Sequence, residues 1–309
     1  MGKNPNAAIY YIKTLNSPQR TVAREVAIDG HGGFISEPAK VILVPWKPDT
    51  GIVFEVSGDH NRVPANPKFL IPRSDAPFKT TSLRYCDARI LTVEHLLAAL
   101  YGLGITNLHV IVEPNGCIPF SDGSSEVFAR ELLKAGLREQ QGAKKRAIYL
   151  RKADSITLEG EDGNILLEPI KSEKMMISAH ISYPNPIGIQ HFEYVHDENF
   201  FCLELARART FQFKYFKDLE TTREKFPGFM LDTWRYINSN SIIYTEQTFI
   251  THLRWANECV RHKVLDFLGD IKLLGFPLFA SINLYKTGHA YNHALINKIW
   301  DQFDGALNV

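Results

Sequence analysis

The stretch VRHKVLDFLGD, Val260 to Asp270, sets His262, Asp266 and Asp270 at positions i, i+4 and i+8. On an α-helix these three fall along one strip, with Val264, Leu265, Phe267 and Leu268 supplying apolar contacts beside it. A helix otherwise made for packing thus carries a polar strip that has to face something in particular. An earlier stretch echoes it: EHLLAALYGLG (residues 94–104) and RHKVLDFLGDIKLLG (261–275) each begin with a polar pair containing histidine and continue as an apolar helix ending in Leu-Gly. Helices rich in Leu, Ala and Gly produce such echoes by chance. The alternative is a duplicated α+β domain whose two helices present their first turns to a shared cleft.

Composition narrows the setting. A chain of 309 residues is long for one core, which favours two domains of ordinary size. Its 35 Lys+Arg nearly balance 34 Asp+Glu, for a formal net charge of +1, so nothing suggests nucleic acid as a partner and any basic site must be local. There is no apolar run of the roughly 18 residues needed to span a bilayer, and no signal-peptide pattern at the N-terminus, so a cytoplasmic protein is expected. Cys86, Cys117, Cys202 and Cys259 lack C-x-x-C spacing, which argues against a disulfide framework and a Cys-ligated zinc site. A metal, if held, must be held by histidine and carboxylate.

Outward from the opening stretch, AKVILVPW (39–46), GIVFEV (51–56) and NLHVIVE (107–113) read as strands. A helix is expected from Thr92 as N-cap to Gly102 or Gly104, and a second over DGSSEVFARELLKAG (122–136) with Gly136 as its stop. The polar run GLREQQGAKKRA (136–147) separates two halves of similar element content, which sets the domains at 1–140 and 141–309. Beyond it, RAIYLRK, SITLEG, NILLEPI, MMISAHISY and PLFASINLY read as strands, the last lying between two C-terminal helices. The fold class is α+β, each domain a sheet layer with a helix layer.

Among eleven histidines, three stand at element starts or beside a carboxylate: His95 after Glu94, His262 four residues before Asp266, and His289 in KTGHAYN. Two histidines and an aspartate suit a catalytic zinc ion, which takes three protein ligands and leaves one position open. Glu94 would then stand beside a ligand, placed to take a proton from water. Each signal alone has a plain alternative, because H-x-x-x-D occurs without metal and glutamate is favoured at a helix N-terminus by the dipole.

Five blocks, ILTVEHLLAALYGLGITNLHVIVE, IPFSDGSSEVFARELLKAG, RARTFQF, VRHKVLDFLGDIKLLG and YKTGHAYNHAL, resemble in content and order the signature blocks of the UDP-3-O-acyl-N-acetylglucosamine deacetylases, the zinc amidases of lipid A biosynthesis. The resemblance implies two similar two-layer α/β sandwich domains, of the ribosomal protein S5 domain 2-like kind, with the helix layers facing each other across the active site. It makes His95, His262 and Asp266 the Zn²⁺ ligands and Glu94 the general base. His289 becomes the protonated partner, donating to the leaving amine or stabilising the oxyanion, with Asp270 orienting it. Thr210 would set its hydroxyl on the oxyanion, Lys263 and Lys286 would meet the diphosphate of a UDP-amino-sugar substrate, and Tyr183 would lie against the uracil. Phe211 either lines the acyl route or fills the core. A monomer is expected.

The chain departs from that pattern in three places. Phe34 stands where the family has a histidine near a glycine-rich turn, with His31 earlier. The insert after Phe211, which should form the acyl-chain passage, is rich in charge, although Phe213, Phe216, Leu219, Phe226, Phe229, Met230 and Trp234 offer an apolar wall. A long acyl chain gains about 0.8 kcal/mol per buried methylene, so a polar passage would favour a short acyl group or none. Thr81 replaces a cysteine of many members and reads as a tolerated change. Two further readings stay open: N-deacetylation of a non-lipid nucleotide sugar or nucleoside, and non-catalytic nucleotide-sugar binding.

Overall fold

The first long strand, β1 (Tyr10–Val22), precedes a unit formed by β2 (Val26–His31), β3 (Pro38–Pro45), β4 (Ile52–Val56), β5 (Arg62–Pro64), the hairpin β6 (Leu83–Tyr85) and β7 (Ala88–Ile90), helix α1 (Glu94–Gly102), β8 (Leu108–Glu113) and helix α2 (Glu126–Ala135). The computed structural model describes residues 8–33, 37–59, 61–72, 74–76, 80–213 and 240–303. Strand β9 (Leu137–Leu150) follows, and then β10 (Asp154–Thr157), β11 (Asn164–Glu168), β12 (Met176–Ser182), β13 (Ile189–Val195), β14 (Phe211–Phe213), β15 (Ile242–Tyr244), helix α3 (Glu258–Ile271), β16 (Leu278–Phe279), β17 (Ser281–Tyr285) and helix α4 (His289–Gln302).

The first five-stranded sheet has the order β2-β3-β8-β4-β5, and the second has β10-β11-β17-β12-β13. In both, the last strand in sequence inserts at the centre and pairs in parallel with one neighbour, β4–β8 and β12–β17, while the other pairs are antiparallel. A helix precedes that central strand in each unit, α1 or α3, and another follows it, α2 or α4. The helical echo in the sequence is thus matched by strand order and direction. Strand β9 pairs antiparallel with β1 and parallel with β16 in a third sheet. Register shifts in the β1–β9 pair flank Pro18, a residue that cannot donate to a ladder and is tolerated where pairing is irregular.

Most expected strands are present, with instructive differences. The run 136–147, too polar to suggest regular structure, forms most of β9, so the boundary expected at residue 140 falls within a strand. Its backbone pairs with β1 while many of its side chains stay in water, a situation that needs no apolar alternation. PLFASINLY divides at Ala280 into β16 and β17, which belong to different sheets. Thr92 is not the N-cap of α1. Val93 is, and Thr92 adopts a left-handed φ of 59° with its hydroxyl donating to its neighbour's carbonyl, Leu91 O. Gly136 ends α2 with a φ of 78°, as expected. Residues 34 and 214–239, including Phe34, Phe216, Leu219, Phe226, Phe229, Met230 and Trp234, lie outside the described residues. Among the described residues no helix is long and apolar enough to cross a membrane.

The two helix layers meet where α1 packs on α3, and α3 continues onto α4. Every residue of α1 is buried, so it is the central rod of the molecule rather than an amphipathic surface helix. Its N-terminal turn sits against Gly269 of α3, where an added Cβ would lie 2.1 Å from the Glu94 carbonyl oxygen. Both partners there are backbone, which cannot swing aside as a flexible side chain does. Gly269→Ala is therefore expected to cost about 1–3 kcal/mol of stability through overpacking and to displace Glu94. Chemical denaturation and metal retention, measured together on the purified variant, check both effects.

Candidate active site

Three buried side chains converge at the α1–α3 contact. His262 and Asp266 lie one turn apart on α3, with Nε2 to Oδ1 at 3.2 Å, and His95 on α1 brings its Nε2 to 3.7 Å from the same Oδ1. The three donor atoms lie within 4.8 Å of one another. His262 Nδ1 donates to Ala208 O at 3.0 Å, which leaves Nε2 as a lone pair pointing at the group. Burial pushes His262 down to about 3, against the pull of Asp266, so its ring is neutral as a ligand must be. For Asp266, burial works to raise the pKa, but His262, Lys263 and His289 hold it well below the ordinary carboxylate range.

These residues fit a divalent cation. Asp266 Oδ1 is buried with no hydrogen-bond donor, a costly condition that a cation between it and the two imidazoles would relieve. Two imidazoles and one carboxylate also form a donor set suited to zinc and its neighbours. A second cluster, Asp270, His289 and His293, has comparable spacing. Its donors are already engaged: Asp270 Oδ2 accepts from His289 Nδ1 and from Asn292 Nδ2, both at 2.7 Å, and Oδ1 accepts from the Thr81 hydroxyl at 2.5 Å.

Ionisable groups flank the first cluster. Glu94, the first residue of α1, is buried, and that burial raises it to about 7 despite the charges of His289 and His95. Its Oε2 accepts from Thr81 N at 3.2 Å. His289, the first residue of α4, would be lowered by burial. The adjacent charges of Asp270 and Asp266, with the Asp270 hydrogen bond, instead raise it to about 9. Its Nε2 is 3.8 Å from Asp266 Oδ2, which puts its free edge toward the three-residue cluster. A carboxylate that ionises near neutrality thus shares the site with an imidazolium that persists above it.

The remaining expected residues fall around one cleft. Tyr183, Lys263, Lys286 and His289 line it together with Thr80 and His293. Lys263 Nζ donates to Asp266 Oδ2 at 2.9 Å and lies 5.3 Å over the Phe211 ring. Lys286 is more open and pairs with Asp162 at 2.5 Å. The Tyr183 and Phe211 rings meet edge to face, with centroids 5.6 Å apart. Thr210 belongs to the segment 208–211 that runs past His262, and Gly123 makes room for it: an added Cβ there would lie 2.9 Å from Thr210 Cγ2. Asp122 caps locally, accepting from Ser124 N and Oγ, and also pairs with Arg254. Arg207 and Arg209 are ion-paired, Arg209 with the fully buried Glu258 at 2.9 Å.

Sequence reading missed four contributors: Thr81, Ser125, Asn292 and His293. Thr81, read as a tolerated change, touches Asp270, His289 and His293 through one hydroxyl. Asn292 supports Asp270, and Ser125 donates to His95 O at 2.7 Å, tying α2 to the backbone of a cluster residue. The spacing His289–Asn292–His293 on one helix face was the available signal for α4. No local pattern could have flagged the Thr81 hydroxyl, since its partners lie nearly 190 or more residues away. Asp266→Ala should abolish retention of one equivalent of metal, whereas Asp270→Asn should retain it; elemental analysis after gel filtration distinguishes the two.

Comparison with known proteins gives the family. The model of the UDP-3-O-acyl N-acetylglycosamine deacetylase family matches residues 19–301. A UDP-3-O-acyl-N-acetylglucosamine deacetylase of Psychrobacter arcticus is 34% identical over 91% of this chain and 85% of its own length. Proteins of the same name from Myxococcus xanthus and Chlamydia pneumoniae are 35% and 34% identical, over 91% and 94% of this chain and 86% and 99% of theirs. With the match spanning both sheets and every residue of the buried cluster, the chain belongs to the UDP-3-O-acyl N-acetylglycosamine deacetylase family.

Proposed function

We propose that this protein hydrolyses the N-acetyl amide of a UDP-3-O-acyl-N-acetylglucosamine substrate, releasing acetate and the free amine in lipid A biosynthesis, with Zn²⁺ as its metal. The observation that carries this reading is the orphaned Asp266 Oδ1 between His95 and His262, flanked by a carboxylate near neutrality and a persistent imidazolium. His95, His262 and Asp266 would hold the ion, and the chemistry supplied there is polarisation of the amide carbonyl and a lowered pKa for the attacking water.

Glu94 takes a proton from that water as it adds to the carbonyl carbon. His289 gives a proton to the amide nitrogen, whose bond to the carbonyl carbon then breaks. Asp270 keeps His289 charged and fixes its ring, with Nδ1 donating to Oδ2 and Nε2 left to face the substrate. The Thr210 hydroxyl is assigned to the oxyanion because its chain neighbours Ala208 and Phe211 both meet His262. Lys263 and Lys286 on one cleft wall, with Tyr183, suit an anionic nucleotide, and Lys286 exchanges Asp162 for a phosphate oxygen. Phe211, packed between Tyr183 and His262, forms the wall beside the acyl group.

Activity needs Glu94 unprotonated and His289 protonated. It should therefore rise with pH through the Glu94 value and fall through the His289 value, giving a bell-shaped profile bounded by about 7 and about 9. A bound cation lowers both values, so each limb lies at or below those figures. Glu94→Gln should reduce kcat by roughly 10²- to 10⁴-fold while metal content is kept. The deciding assay measures amine release from acylated and unacylated UDP-N-acetylglucosamine by purified protein of known zinc content. Absence of zinc together with absence of turnover on every member of that set would overturn the reading.

A further inference from the structure

The hydroxyl of Thr81 is completely buried and lies 2.5 Å from Asp270 Oδ1, 2.9 Å from His293 Nε2 and 3.1 Å from His289 Nδ1. It has one hydrogen to give. An ionised carboxylate only accepts, so that hydrogen goes to Asp270 Oδ1, and Thr81 Oγ1 must in turn accept. The His289 Nδ1 proton is already directed at Asp270 Oδ2, at 2.7 Å. The donor left for Thr81 is His293 Nε2–H, which fixes the His293 tautomer and gives the chain one direction: His293 Nε2–H to Thr81 Oγ1–H to Asp270 Oδ1. His289 and His293 are four residues apart on α4 and line the same cleft.

The backbone of Thr81 faces the other side of the site. Its N–H donates to Glu94 Oε2 at 3.2 Å, and its carbonyl accepts from Val93 N, at the start of α1, at 2.9 Å. One residue between β5 and β6 therefore touches the base through its main chain and the support of the acid through its side chain. We propose that Thr81 is a positioning residue that sets Glu94 and the Asp270–His289 pair in one frame, with His293 holding its hydroxyl in the donating direction. This rests on the roles assigned above to Glu94 and His289. Without the hydroxyl, Asp270 Oδ1 becomes a buried anionic oxygen lacking its donor, and the carboxylate is free to turn away from His289 toward another. The acid is then misplaced while the metal cluster and the cleft are left as they were.

Steady-state kinetics on Thr81→Val and Thr81→Ser test this, because valine keeps the shape and the N–H but loses the hydroxyl. The expected result is a fall in kcat of roughly 10- to 100-fold for T81V, with KM and zinc content near the wild-type values, and recovery of most of kcat in T81S. His293→Leu should lower kcat in the same way, and His293→Gln, whose amide can still donate, should recover much of it. Should T81V fail to fold, the His293 pair carries the test alone. A T81V enzyme with kcat within twofold of wild type overturns the proposal, as does a loss in T81S as large as in T81V, or equal losses in H293L and H293Q. A wild-type protein inactive on every UDP-N-acetylglucosamine substrate would instead overturn the assigned function, which separates the two failures.

Discussion

Gly269 lets two helix backbones approach more closely than any side chain would permit, and the active site exists because of that approach. With hydrogen in place of a methyl group, α3 lies against the carbonyl of Glu94, so the first turn of α1 enters the field of His262, Asp266 and Asp270. His95 can then reach the same carboxylate oxygen as His262. Other ties hold the approach: Ser125 anchors the His95 carbonyl, and Arg209 reaches Glu258 in the first turn of α3. Breaking a buried pair such as Arg209–Glu258 typically costs about 3–5 kcal/mol, since it strands a charge away from water.

The same approach concentrates charge in a dry place. Asp266, Asp270, Glu94, Lys263 and His289 share a small buried volume, which is unfavourable unless each charge finds a partner. Asp270 does so completely, with donors on both oxygens. Asp266 does so by half, since Lys263 occupies Oδ2 and Oδ1 is left bare. Glu94 accepts from Thr81 N at 3.2 Å, and burial dominates its pKa. These three differences match the roles proposed for the carboxyl groups: support, ligand and base.

The two sheets share an order and a set of directions, yet the units contribute unequally. The first supplies Glu94, His95 and Thr81, and the second supplies His262, Asp266, Asp270 and the α4 histidines. A cleft between similar units is a natural place for such a division, because each helix can present one edge to the seam while its other faces are packed. Strand β9 joins the halves through its pairing with β1 and β16, so the polar middle of the chain acts as a structural member.

The sequence by itself determined the fold class, most of the strands and the polar strip on α3, because apolar periodicity and helical spacing are local properties. Its ordered blocks also pointed to the family. Local patterns misjudged Thr92, whose left-handed φ joins a hairpin to a helix, and the run 136–147, whose pairing depends on β1. They also passed over IQHFEYV, the alternating edge strand β13. Only the tertiary structure decided that Thr81 matters, since its worth lies in partners from α3 and α4 that meet far from it in sequence. The same holds for the raised Glu94 and the lowered His262. Burial sets both values, and burial belongs to the packed molecule rather than to any stretch of chain.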